Sequence, residues 1–117
     1  MGWVQVLVVR RDLRMGAGKV AAQAAHGAVL GLAEANRDHP AWARQWWAAG
    51  QPKVVVGVAD LAEFDEVCAA ARRAGLPVFV VHDRGLTQVP AGTPTCAAVG
   101  PAPRDRVDPV TGALRLL

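Results

Sequence analysis

WVQVLVVRRDLRMGAGKVAAQAAH, residues 3–26, reads as a strand, a basic turn and the opening of a helix, and that order decides the fold. Trp3 to Val9 is a β-branched run broken only by Gln5, the pattern of a buried strand. Arg10, Arg11 and Arg14 follow with glycines. From about Gly18 an alanine-rich stretch predicts a helix reaching Asn36, whose small residues let it pack closely against a sheet. Lys19, Gln23 and His26 sit at i, i+4 and i+7 of that helix, within roughly a 60° arc of one face. Nearly everything around them is Ala, Gly, Val or Leu. An amine, an amide and an imidazole aligned on an apolar helix point to a site.

The rest of the chain extends this unit. Pro40 suits the first turn of a second helix that carries Trp42, Trp46 and Trp47 to about Ala49, and Gly50-Gln51-Pro52 stops it. Lys53 to Val58 reads as a strand. Asp60 caps a third helix with Glu63 three residues on, as in a capping box. Ala74-Gly75 ends it. Pro77 leads into a strand from Val78 to Val81, and His82 to Gln88 reads as a loop. Thr95 to Val99 is a further strand that Gly100-Pro101-Ala102-Pro103 is expected to break. A short turn or helix near Arg104 to Val107 precedes the end. The order β-α-α-β-α-β-β predicts an α/β sandwich. The last two strands lack a helix between them, so they are expected to run antiparallel in a mixed sheet.

A length of 117 residues fits one domain, residues 1–117, and 52% hydrophobic residues suffice for a real core. The net charge of +3 is mild, but its distribution is uneven. Asp60, Glu63, Asp65 and Glu66 cluster in one segment; Arg10, Arg11, Arg14 and Lys19 cluster in another, opposed only by Asp12. A basic entrance beside the polar stripe would attract phosphates, although an arginine cluster also suits a solvated loop. Cys68 and Cys96 have no metal-ligand or redox spacing and read as core residues, which suits a reducing compartment. The N-terminal apolar run has no basic region before it and is too short to span a bilayer, so a cytoplasmic protein is expected.

Gly16-Ala17-Gly18-Lys19 is not a Walker A loop. Leu13 stands where the first glycine belongs, and Val20 replaces the hydroxyl residue that would hold magnesium. A dinucleotide fingerprint needs a strand directly before it, and here Arg10 to Met15 intervene. What remains is physical: glycines admit close approach, and a helix N-terminus favours an anion. The helix offers no second His or carboxylate at ligand spacing to His26, which argues against a metal. Asp83 follows a hydrophobic strand and precedes Gly85, a usual place for chemistry and also for a plain turn. The tryptophans suit a core or a dimer interface better than base stacking, with one of Trp46 and Trp47 facing outward.

Several blocks in order resemble the type 2 peptidyl-tRNA hydrolases, the archaeal and eukaryotic-type family. They are Val6-Leu7-Val8-Val9-Arg10-x-Asp12-Leu13-x-Met15-Gly16-x-Gly18-Lys19-x-Ala21-Ala22-Gln23-x-x-His26, then Gly50-Gln51-Pro52-Lys53-Val54-Val55, Gly75-Leu76-Pro77 and Asp83-x-Gly85-x-Thr87-Gln88. Pro90-x-Gly92-Thr93, Gly100-Pro101-Ala102-Pro103 and Val110-Thr111-Gly112-x-Leu114-x-Leu116-Leu117 complete the match, which covers essentially the whole chain. The resemblance implies a three-layer α/β/α sandwich with a mixed sheet of about four strands, often a homodimer. It also implies hydrolysis of the ester joining a peptide to tRNA, without metal or organic cofactor.

By matching position, the active-site group is Lys19, His26, Asp83 and Thr87, with Gln23, Gln88 and Thr93 nearby. Asp83 would orient or deprotonate a water or the Thr87 hydroxyl, Lys19 would stabilise the charge developing on the carbonyl oxygen, and His26 would position substrate or share proton transfer. Arg10, Arg11, Arg14 and Arg84 are expected to bind phosphates. The family usually reads Asp-Ala-Gly-Arg-Thr-Gln where this chain has Asp83-Arg84-Gly85-Leu86-Thr87-Gln88. It usually reads Cys-Ser where this chain has Ala24-Ala25. The missing arginine keeps open a second class, an RNA-binding relative with weak catalysis. A third class is a homodimeric adaptor using the tryptophan helix.

Overall fold

The computed structural model describes residues 2–85 and 89–117. Strand β1, Trp3–Arg10, lies at the centre of a four-stranded sheet of order β2-β1-β4-β3. Strand β2, Lys53–Val58, runs parallel to β1 with Leu7 opposite Val55, and β4, Pro94–Pro103, runs antiparallel to β1 with Leu7 opposite Ala98. Strand β3, Val78–His82, pairs antiparallel with β4 at the far side. The sheet is therefore mixed, as expected from the helix-free β3–β4 connection.

Both faces of β1 are covered, which is why its apolar run is continuous rather than alternating. Val4, Val6 and Val8 pack with Phe64, Val67, Cys68 and Val107 on one face, while Leu7 and Val9 pack with Ala24 and Ala28 on the other. Helix α1, Ala17–Asp38, covers the second face; α3, Leu61–Arg73, and α4, Arg104–Thr111, cover the first. Helix α2, Pro40–Ala48, packs on α1, β1 and β4. Its Trp46 is buried, with the indole N–H donating to the Pro52 carbonyl at 2.8 Å, whereas Trp47 is 57% exposed. Trp42 stacks on His39 at a centroid distance of 3.8 Å. Among the described residues no helix is long and apolar enough to cross a membrane.

Asp60 caps α3 through Oδ1, which accepts from the Glu63 amide at 2.9 Å. The Glu63 carboxylate reaches back to the Ala59 amide at 2.8 Å, one residue earlier than in the usual reciprocal box. Two expectations fail at the C-terminal end. Gly100-Pro101 does not break β4; the strand continues to Pro103. Val4 pairs with Ala102 and Val6 with Val99, so Gly100 and Pro101 together oppose Gln5 as a bulge. Gly100 takes φ +94, and Pro101 needs no ladder donor there. The last helix runs on to Thr111, past Val107, because Val107 is buried and Val110 and Leu114 continue the same apolar contact.

The buried stripe of α1 is Gln23, Gly27, Gly31 and Ala35, one residue per turn. A methyl group at Gly31 would lie 2.7 Å from the Ala98 Cβ and 2.8 Å from the Gln5 amide nitrogen, whereas at Gly27 its nearest neighbours are at 3.5 Å. Gly31→Ala is therefore expected to lift α1 and cost about 1–3 kcal/mol. Gly27→Ala is expected to be neutral or to stabilise by up to about 1 kcal/mol from helix propensity. Denaturant midpoints for the two variants check this contrast.

Cys68 and Cys96 are both unpaired and buried, as their spacing suggested. Burial raises the Cys68 thiol and pushes Cys96 up to about 12. Since the thiolate is the reactive form, neither is expected to react with iodoacetamide at neutral pH until the protein is denatured.

Candidate active site

Helix α1 and the end of β3 meet around Asp83. The Asp83 main chain is fixed on both sides: its amide donates to the Thr93 carbonyl at 2.8 Å, and its carbonyl accepts from the Gly92 amide at 2.7 Å. Its side chain turns toward α1. The Lys19 ammonium donates to Oδ1 in an ion pair, the Gln23 amide nitrogen reaches the same oxygen at 3.3 Å, and the Gly85 amide donates to Oδ2 at 2.7 Å. Asp83 is 5% exposed and the Lys19 side chain 11%. Such a carboxylate is held by donors rather than by bulk water.

Lys19 sits in the first turn of α1, where the helix dipole is already positive and the turn has no acidic residue. Asp83 supplies the compensating charge from a different element. Gly16 caps the helix in extended conformation (φ −66), so it is not there for a left-handed turn. A methyl group at Gly18 would meet nothing within 4 Å. Gly18 instead forms a low wall of a cavity of about 750 Å³. Lys19, Gln23, His26, Asp83 and Arg84 line that cavity together, joined by Ala22, Leu30 and the β3 residues Phe79 to His82. The fold thus gathers the helical stripe and the strand-end carboxylate that the sequence singled out separately. His26 and Arg84 are both exposed on the cavity side. Thr93 is half-buried and holds the Asp83 amide. Thr87 and Gln88 lie outside the described residues.

Leu30 was missed, although it stands four residues beyond His26 and continues the same stripe; as a leucine it carries no chemical signal. Gly85 was noted only as a loop residue, yet its amide fixes the carboxylate. Among the described residues no cluster of His, Cys, Asp and Glu could hold a metal ion.

The arginines divide. Arg10 is buried, and its guanidinium is engaged inside the protein: Nε and Nη2 donate to the Asp12 carboxylate at 3.1 and 2.7 Å, and Nη1 to the Pro94 carbonyl at 3.1 Å. It clamps the exit of β1 to the start of β4, next to the Thr93 carbonyl that holds Asp83. This is not the open phosphate contact expected from its charge. Arg11 is exposed and donates to the Leu116 carbonyl at 2.7 Å. Arg14 is exposed, with φ +50.

Arg10→Lys keeps the charge but loses the fork, and is expected to cost about 1–2 kcal/mol in a denaturant titration. The hydrogen bond from Arg10 holds the Asp12 carboxyl below its ordinary 3.8. A carboxyl depressed by folding contributes above its unfolded value and loses that contribution as pH falls through the folded one. The clamp therefore weakens only below about pH 4.

A family model described as Peptidyl-tRNA hydrolase PTH2 matches residues 3–117. A peptidyl-tRNA hydrolase of Thermococcus onnurineus is 46% identical over 113 residues, covering 97% of this chain and 96% of the relative. One from Aeropyrum pernix is 51% identical over 119 aligned residues, covering 98% and 96%. The human protein named peptidyl-tRNA hydrolase 2, mitochondrial, is 45% identical over 111 residues, covering 95% of this chain and 62% of its own length.

Proposed function

The chain belongs to the peptidyl-tRNA hydrolase PTH2 family, and from that premise we propose how its residues do the chemistry. The protein hydrolyses the ester between a peptide and tRNA, releasing both. The observation that carries the residue assignment is the Lys19–Asp83 ion pair inside the α1–β3 cavity.

In this reading Asp83 takes a proton from the attacking oxygen, which belongs to water or to the Thr87 hydroxyl. As Asp83 accepts that proton its charge falls, and the Lys19 ammonium is freed to face the developing oxyanion, aided by the α1 N-terminus. Gln23 keeps the carboxylate aimed, and His26 positions substrate or shares proton transfer. The proton passes to the departing 3′ oxygen of the tRNA. If water attacks, the peptide leaves as an acid that loses its proton to solvent; if Thr87 attacks, a water then hydrolyses the acyl-Thr87 ester, with Asp83 taking the water's proton and returning it to the Thr87 oxygen. An acyl-Thr87 adduct in single-turnover mass spectrometry distinguishes the two attacking oxygens.

Arg14 and Arg84, both exposed, are assigned to phosphates near the acceptor end, and Gln88 and Thr93 are assigned to substrate binding as well; Arg10 is assigned to positioning rather than contact. The reaction is proposed to need no metal or organic cofactor. The chain is further proposed to be one domain over 1–117 and a homodimer, a reading supported by the exposed apolar side chains of Trp47 and Leu116 and checked by sedimentation velocity. A cytoplasmic location suits its two unpaired cysteines.

The test is release of free peptide from purified N-acetyl-aminoacyl-tRNA in EDTA. Turnover is expected, with tRNA affinity falling steeply as salt rises. Absence of turnover, or an affinity independent of salt, would contradict the reading.

A further inference from the structure

The two outer edges of the sheet are treated differently. The edge of β2 is closed by the last residues of the chain: the Gly57 amide donates to the Arg115 carbonyl at 2.9 Å, the Leu117 amide donates to the Val55 carbonyl at 3.1 Å, and Val56 bridges to Leu116. Among the described residues no strand covers the outer edge of β3. An open edge is a template for an added strand.

Three observations tie this edge to the catalytic cavity. First, β3 lines the cavity from Phe79 to His82 and leads directly into Asp83. Second, Val80 sends its side chain to the opposite core yet lines this cavity, so what it offers here is main chain. Third, the inward-facing groups can be counted. The Pro77 carbonyl and the Asp83 amide both bond to the β4 side, at 2.9 and 2.8 Å, so residues of that parity face inward and Val78 and Val80 present N–H and C=O outward.

We propose that the outer edge of β3 binds the peptide portion of the substrate as an added β-strand. The inference rests on the hydrolase reading above. The occupant follows from continuity: an ester carbonyl held at Lys19 and Asp83 leaves its peptide to run out along the cavity, whose walls beyond Gln23 are Ala22, Leu30 and Phe79. The direction follows too. The esterified end is the peptide's C-terminus, so the peptide runs N to C toward Asp83, as β3 does, and the added strand is parallel. At about 3.3 Å per residue, Val80 lies roughly 10 Å before Asp83, so a peptide of about four residues reaches it. Main-chain pairing would serve any peptide sequence, with alternate residues of the peptide bonding to Val80.

The test uses the wild-type protein and varies the substrate. The ratio kcat/KM is measured on one tRNA carrying peptides of one to five residues, then on five-residue peptides N-methylated at one position at a time. Two added backbone hydrogen bonds are worth about ten- to thirtyfold. The expected result is a rise of that size by four residues, most of it lost on N-methylation at the one residue whose N–H donates to the Val80 carbonyl and retained on N-methylation at either neighbour. A rise insensitive to N-methylation would overturn the proposal in favour of side-chain contacts alone. A length-independent kcat/KM would also overturn it, and would leave the edge to a second copy of this chain. If N-acetyl-aminoacyl-tRNA itself is not cleaved, the hydrolase reading fails and this inference falls with it.

Discussion

Asp83→Asn is expected to lower the rate of peptide release about a hundred- to ten-thousandfold, the range typical of removing a positioned general base. The substitution keeps the shape of the side chain, and an amide oxygen can still accept from the Gly85 amide that now sits 2.7 Å from Oδ2. It removes the negative charge that pairs with Lys19. Because the pair is largely buried, a lower melting temperature is expected as well. Turnover must therefore be compared at a temperature where circular dichroism shows the variant folded. Affinity for tRNA is expected to change little, since the exposed arginines are untouched. Near-normal turnover in the folded variant would remove Asp83 from the role given to it.

Lys19→Met is expected to cost about a hundred- to a thousandfold in kcat. Methionine keeps most of the aliphatic stem, so the packing of the first turn of α1 survives while the ammonium is lost. Asp83 retains Gln23 and the Gly85 amide, and its carboxylate stays held. If Lys19 acts on charge that develops only in the transition state, kcat falls and KM stays near its original value. A variant with unchanged kcat and a raised KM would place Lys19 on a ground-state phosphate instead.

Much of this arrangement was legible in the chain because local patterns and tertiary demands agree. The β-branched run of β1 and the single-face stripe of α1 survive folding unchanged, since each is a periodicity that burial alone explains. Lys19, Gln23 and Asp83 were legible for a different reason: polar groups on apolar elements need partners, and here they are one another's partners. Gly100-Pro101 was misread because the residues that break a strand are also those that build a bulge, and only pairing with Val4 and Val6 separates the two cases. The partners of Arg10 were not legible, because charge does not name its partner. The Pro94 carbonyl that it grips lies 84 positions away and comes into reach only once β4 is laid beside β1. Leu30 and the edge of β3 carry no chemical signal in sequence at all; the first is an apolar wall, and the second offers main chain, which no residue type announces.

The central claim is that Lys19 and Asp83 act as one unit. The most direct measurement is a double-mutant cycle on single-turnover peptide release, comparing wild type, Lys19→Met, Asp83→Asn and the double variant on the same peptidyl-tRNA. Groups that act together are not additive, so the double variant is expected to be no slower than the slower single one. If the two losses instead multiply, the residues contribute independently, and the ion pair is not the hydrolytic centre of this protein.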